Sequence, residues 1–265
     1  MAAKMRAHHF AQMKAEGTPI TMLTAYDAVT AKIFDEAGVD MILVGDSYGN
    51  TMLGYSSTIP VTLSDMLVAI GAVARSTSHT FVVGDMPFGS YEESPAQAVR
   101  TAIALVKAGA AAVKLEGGVR RAEAIKAISD AGIPVVGHVG FTPQAENALG
   151  GHRVQGRGAG AEQLRADAFA VQEAGAIAVV FEMVPEPIAT ALTAELAIPT
   201  IGIGAGSGTD GQVLVWTDMA GMGDWQPKFA KRFGEVGAEL RQATDAYLAA
   251  VRGREFPDAE HSFAQ

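Results

Sequence analysis

The chain has 265 residues, 49% of them hydrophobic and 18% charged, with a formal net charge of −9 and no cysteine. The missing thiols exclude disulfides, thiolate metal sites and cysteine nucleophiles. The acidic balance argues against nucleic acid as a partner, and no apolar run approaches the roughly 18 residues that span a bilayer, so no membrane partner is expected.

The opening stretch "MAAKMRAHHFAQMKAEGTPI" carries Lys4, Arg6, Lys14 and Glu16 and no apolar core of signal-peptide length, which makes the cytoplasm the expected location. Residues 1–17 read as an N-terminal helical segment. Strands are then predicted near residues 20–25, 41–45, 81–85, 111–115, 134–137, 177–181, 199–203 and 212–216. Four of them follow the same signal, a helical stretch ending in Ala-Gly and then a short apolar run: "DEAGVDMILVGDS", "VKAGAAAVKLEGG", "SDAGIPVVGHVG" and "QEAGAIAVVFEMV". Gly38, Gly109, Gly132 and Gly175 sit where a terminating helix needs a left-handed residue. Helix starts are signalled by Thr62 with Asp65, and by Ser94-Pro95, where Gln97 completes a capping box. Residues 204–211 are too few for a helix between the last two strands. A long final helix is predicted around 226–252, followed by a tail over 253–265, "GREFPDAEHSFAQ". No Pro- or Ser-rich linker divides the chain, which reads as one domain over 1–265.

Buried apolar runs alternating with amphipathic helices indicate an α/β fold with a parallel sheet, either open and doubly wound or closed into an eightfold barrel. The first six strands end at Asp27, Asp46, Asp85, Glu116, His138 and Glu182. Neighbouring strands lie about 4.8 Å apart, so an open sheet would scatter these groups over roughly 20 Å. Only closure gathers them, which favours the (β/α)8 barrel.

Each residue also has a plain structural reading. An Asp after a strand is a common turn or cap residue, and a lone His is often a hydrogen-bonded core residue. Lys114 interrupts "AAVKLEGG" and shares a strand face with Glu116, so it either serves a ligand or forms a salt bridge with that neighbour. Carboxylates brought together without cysteine suit Mg²⁺ better than Zn²⁺. Glu182, between "AVVF" and Met183-Val184, is a general base for a carbon acid or a buried structural carboxylate. The glycine-rich "GIGAGSGTDG" over 202–211 is a phosphate cradle or a close-packed loop, and "GGHRVQGRG" over 150–158 is a lid or an oligomer contact.

The motifs "TAYD" (24–27), "GDS" (45–47), "GDMPFGSY" (84–91), "AVKLEGG" (112–118), "GHVGFTPQ" (137–144), "VFEMVP" (180–185) and "IGIGAG" (201–206) together resemble the ketopantoate hydroxymethyltransferase family, in family order across nearly the whole chain. The resemblance implies a TIM barrel of the phosphoenolpyruvate/pyruvate type that transfers a hydroxymethyl group from 5,10-methylenetetrahydrofolate to 3-methyl-2-oxobutanoate. It further implies that Asp46 and Asp85 bind Mg²⁺ and face the substrate, with Glu116 a ligand directly or through water. Ser47, Lys114 and His138 would hold the keto acid, Glu182 would be the base, and the chain would assemble as a homodecamer. His152-Arg153 departs from the family's more usual aromatic followed by Lys.

Overall fold

The computed structural model describes residues 3–263, and its eight strands pair in chain order, all parallel, with β8 returning to β1 to close the barrel. They are β1 (Ile20–Thr24), β2 (Met41–Val44), β3 (Phe81–Asp85), β4 (Ala112–Glu116), β5 (Val135–Gly140), β6 (Ala178–Glu182), β7 (Thr200–Ile203) and β8 (Gly211–Leu214). Every predicted strand is present. The largest displacement is at β5, which runs to Gly140 rather than residue 137 because it stays in register with β6 as far as Gly140 opposite Glu182.

The helices of the barrel unit are α1 (Ala7–Glu16), α2 (Ala28–Ala37), α3 (Tyr48–Thr51), α4 (Leu63–Ser76), α5 (Pro95–Ala108), α6 (Ala122–Asp130), α7 (Glu146–Leu149), α8 (Gly160–Glu173) and α9 (Glu186–Glu195). Gly38, Gly109, Gly132 and Gly175 all have positive φ, between 81° and 120°, so each turns the chain out of a helix into the next strand. Thr62 and Asp65 form the expected reciprocal cap of α4. At α5 the Ser94 hydroxyl caps the Gln97 amide, but the Gln97 side chain accepts instead from Glu93 N and donates to Gly89 O. Between β7 and β8 there is no helix.

Strand alternation sorts the barrel wall. Ile20, Met22, Met41, Leu43, Phe81, Val83, Ala112, Val136, Ala178, Val180, Ile201 and Val213 form one buried cluster inside, joined by Phe10 of α1. Phe10 meets the edge of Phe81 at 5.2 Å between ring centroids, and burying such a ring contributes about 2–3 kcal/mol. Lys14 of the same helix donates to Thr193 O and pairs with Asp210 at 2.7 Å. Asp210 also accepts from the Thr200 amide, so α1 is stapled to the N-terminal end of the barrel.

A second compact unit runs from Trp216. It contains α10 (Trp216–Met219) and α11 (Val236–Arg252). The final helix therefore begins ten residues later than predicted. Residues 220–235 contain Gly221, Gly223, Pro227 and Gly234 and are held by irregular bonds such as Arg232 Nε to Gln226 Oε1. Among the described residues no helix is long and apolar enough to cross a membrane.

Candidate active site

In β3, β4, β5 and β6 the inward residues continue the apolar layers upward into charge. Phe81 and Val83 lead to Asp85, Ala112 leads to Lys114 and Glu116, Val136 leads to His138, and Val180 leads to Glu182. The register puts Asp85 beside Lys114, Glu116 beside His138, and Gly140 beside Glu182. Asp46 and Ser47 arrive from the turn after β2, where the Asp46 amide donates to Asp85 Oδ2 at 3.0 Å.

Lys114 pairs with Asp85, not with Glu116, at 2.7 Å. Both are buried, at 3% and 1% exposure, so neither charge is solvated and each depends on its neighbours. One ammonium serves three buried carboxylates. Burial pushes the Asp85 carboxyl up to about 7 despite Lys114, and burial pushes Glu116 well above the usual carboxylate range. Burial alone would lower Lys114, yet Asp85, Glu116 and Asp46 hold it above its ordinary value.

His138 is held below its ordinary value by burial and by Lys114, so its ring is neutral at pH 7. Its Nδ1 lies 3.4 Å from the Lys114 ammonium, which can only donate, and this assigns the proton to Nε2. Nε2 faces Glu182 Oε2 at 3.3 Å, a contact short of a well-formed hydrogen bond. The same tautomer leaves Glu116 Oε1, 3.6 Å from Nδ1, without a donor.

Gln144 ties the cluster together. Its amide nitrogen donates to Asp46 Oδ2 at 2.8 Å and to Met86 O at 3.0 Å, its oxygen accepts from the Tyr91 hydroxyl, and its main-chain N–H donates to Glu116 Oε2 at 3.0 Å. Sequence reasoning passed over this residue, although it ends the motif "GHVGFTPQ", because an uncharged side chain in a loop carries no signal of its own. Tyr26 was missed likewise; its hydroxyl meets Ser47 Oγ at 2.8 Å and fixes that side chain. Next to Glu182, Met183 has a φ of 49°, a left-handed conformation uncommon outside glycine, held by bonds from Met183 N to Ile203 O and from Gln155 N to Met183 O.

The structure thus gathers Asp46, Asp85, Lys114, Glu116, His138 and Glu182, with Ser47 adjoining. Asp27 stands apart. Its carboxylate caps α2, accepting from Val29 N, Thr30 N and Thr30 Oγ1. The glycine-rich loop is a close-packed connection: a Cβ on Gly206 would meet Glu186 at 2.3 Å, one on Gly208 would meet Thr190 at 2.1 Å, and a strand rather than a helix follows. In the 150–158 connection the His152 ring lies against Phe141, 4.8 Å between centroids. Among the described residues no three His, Asp or Glu side chains form a ready metal cage. The oxygens that could serve a cation are those of Asp46, Asp85 and Glu116, and the undonated Glu116 Oε1 suits a hard ion.

A closed parallel barrel whose carboxyl, imidazole and ammonium groups collect at the carboxyl ends of its strands defines a TIM-barrel enzyme. Solved structures similar to it include phosphoenolpyruvate phosphomutase from Streptomyces platensis subsp. rosaceus, with a TM-score of 0.65 at 14% identity, covering 98% of this chain and 92% of that one. Another is phosphonopyruvate hydrolase in complex with oxalate and Mg²⁺, with a TM-score of 0.61 at 14% identity, covering 97% and 93%. At such identities the likeness is one of fold. The chain belongs to the ketopantoate hydroxymethyltransferase family, whose model matches residues 4–259. Proteins named 3-methyl-2-oxobutanoate hydroxymethyltransferase from Rhodococcus jostii and from Leifsonia xyli subsp. xyli are 58% and 55% identical over 262 residues, 98% of this chain and 91% and 95% of theirs.

Proposed function

We propose that this chain makes 2-dehydropantoate, opening pantothenate synthesis, by adding a hydroxymethyl group from 5,10-methylenetetrahydrofolate to C3 of 3-methyl-2-oxobutanoate. The observation that carries the chemistry is Glu182 on the inner wall, beside the neutral imidazole of His138 at 3.3 Å and facing a cluster with one ammonium and three carboxylates.

Asp46, Asp85 and Glu116 would hold Mg²⁺. When bound, the metal supplies Lewis-acid polarisation of the keto oxygen, which makes the C3 proton acidic. Lys114 offsets the charge of the keto acid in an acidic protein, and Ser47 and His138 hold its oxygens. Glu182 takes the C3 proton, and the C–H electrons pass into the C2–C3 bond and onto the keto oxygen, a step for which a positioned base contributes about 10²–10⁴-fold. Water adds to the methylene carbon of the folate, whose C–N bonds break to release tetrahydrofolate and a one-carbon unit at the oxidation level of formaldehyde. C3 adds to that carbon, and the new alkoxide takes a proton. Keto acid, methylenetetrahydrofolate and one water thereby give 2-dehydropantoate and tetrahydrofolate, with no net redox change.

Deuterium exchange at C3 of 3-methyl-2-oxobutanoate tests the assignment without any folate. Exchange should depend on Mg²⁺ and fall steeply in Glu182→Ala; exchange that survives unchanged in that variant removes Glu182 as the base. Keto acid cleaved in the absence of folate would point to a carbon–carbon lyase instead.

The enzyme is assigned to the cytoplasm and to a homo-oligomer, the decamer implied by the resemblance. Self-association is supported by Val29 at 72% and Val68 at 70% exposure, with Ile33, Ile103 and Val106, on the successive outer helices α2, α4 and α5. Sedimentation of the purified chain reads the assembly directly.

A further inference from the structure

A cleft of about 870 Å³ opens beside the charged cluster, with Glu116, Gln144 and Tyr91 in its wall, so that one end reaches the reacting groups. Pockets of this size suit molecules as large as a drug or cofactor. Also in the wall are Arg120 and Arg121, from the short 3₁₀ turn Val119–Arg121 that follows β4. Neither guanidinium pairs with a carboxylate among the described residues; Arg121 lies 5.8 Å over the Tyr91 ring. The acidic residues of the outer wall are already engaged. Glu92 accepts from the Gly89 and Tyr91 amides, and Asp167 accepts from the Val119 amide. The cations of this cleft are Arg120 and Arg121, neither paired with a carboxylate, and they stand beside carboxylates already turned to backbone amides, in a chain of net charge −9. Phe88, 47% exposed, adds an aromatic surface to the same wall.

We propose that this cleft seats the folate co-substrate, with its glutamate carboxylates on Arg120 and Arg121 and its aromatic rings between Phe88 and the Glu116–Gln144 end. The assignment rests on the hydroxymethyltransferase reading. That reading requires a carrier whose one-carbon unit reaches the keto acid while its anionic tail stays at the surface. An elongated molecule with flat rings at one end and carboxylates at the other matches a cleft that runs from the site to two free guanidinium groups. Arginine suits this task because its planar fork binds carboxylates in pairs of hydrogen bonds.

The test uses the full chain with Mg²⁺ and compares wild type, Arg120→Gln and the Arg120→Gln/Arg121→Gln double variant. Substrates are methylenetetrahydrofolate and methylenetetrahydropteroate, which lacks the glutamate. The double variant should raise the KM for the folate by about tenfold or more while leaving the KM for the keto acid and C3 exchange unchanged. Wild type should prefer the folate to the pteroate, and the double variant should lose that preference. The single variant, altered at the exposed Arg120, should shift the folate KM the same way by a smaller factor. An unchanged folate KM in the double variant, or equal use of pteroate and folate by wild type, overturns the cleft assignment and leaves the activity standing. No folate-dependent product from wild type overturns both.

Discussion

Replacing Gln144 with alanine removes one side chain and strands three buried groups. Asp46 Oδ2 loses a donor at 2.8 Å, Met86 O loses one at 3.0 Å, and the Tyr91 hydroxyl loses its acceptor. The main-chain bond to Glu116 Oε2 survives. An unsatisfied buried group costs about 1–3 kcal/mol, and water entering the vacated space from the adjoining cleft returns part of that, so a net loss of about 3 kcal/mol is expected. At roughly 2–4 °C per kcal/mol for a domain of this size, the melting temperature should fall by about 6–12 °C. Differential scanning calorimetry on metal-free protein measures it. Gln144→Glu is the informative companion. It keeps the shape and the acceptor for Tyr91 but turns an oxygen toward Asp46, so its destabilisation should grow as pH rises through the range where a raised carboxylate ionises. A Gln144→Ala melting temperature within about 1 °C of wild type would refute the idea that this amide organises the cluster.

Lys114→Met leaves the three carboxylates without their ammonium and should lower kcat/KM by about 10²-fold or more, read by steady-state kinetics at saturating Mg²⁺. Asp35 receives the amides of Ser78, His79 and Thr80, which overcome its partial burial and hold its carboxyl at about 2. A depressed carboxylate stabilises above its unfolded value and loses that contribution as pH falls from near 4 toward 2. With allowance for solvent screening, Asp35→Asn should cost about 1–2 kcal/mol in urea titration at pH 7, with the difference shrinking in acid. His138 binds its proton more weakly folded than unfolded, so its share of stability is fully present above its ordinary value near 6.5 and is lost as pH falls below it. Nitrogen NMR of labelled histidine should show a neutral ring with the proton on Nε2 at pH 7; a proton on Nδ1 would overturn the assigned contact with Glu182.

The barrel was legible because its signals are local: an Ala-Gly helix end followed by four or five apolar residues needs nothing from elsewhere in the chain. Asp85, Glu116 and Glu182 were legible for a related reason, since each continues the inward parity of its own strand. Asp27 looked alike in sequence but precedes a helix directly, and its carboxylate serves the free amides there. What stayed hidden is non-local. The partner of Lys114 is set by the register between β3 and β4, and no pattern within "AVKLEGG" could favour Asp85 over Glu116. Gln144 matters because its side-chain amide reaches Asp46, Met86 and Tyr91 at once, and the unpaired guanidinium groups of Arg120 and Arg121 gain meaning only from a cleft.

The stapling of α1 to the N-terminal end of the barrel divides the molecule's labour. Phe10, Lys14 and Asp210 secure one mouth of the barrel while every group proposed to react stands at the other. Variation in that lower closure can therefore adjust how hard the enzyme is to unfold, through heat tolerance or longevity in the cell, while the geometry of proton abstraction above it is left untouched. For an engineer, or for a lineage moving to a warmer habitat, durability and turnover are adjustable at opposite ends of the same barrel.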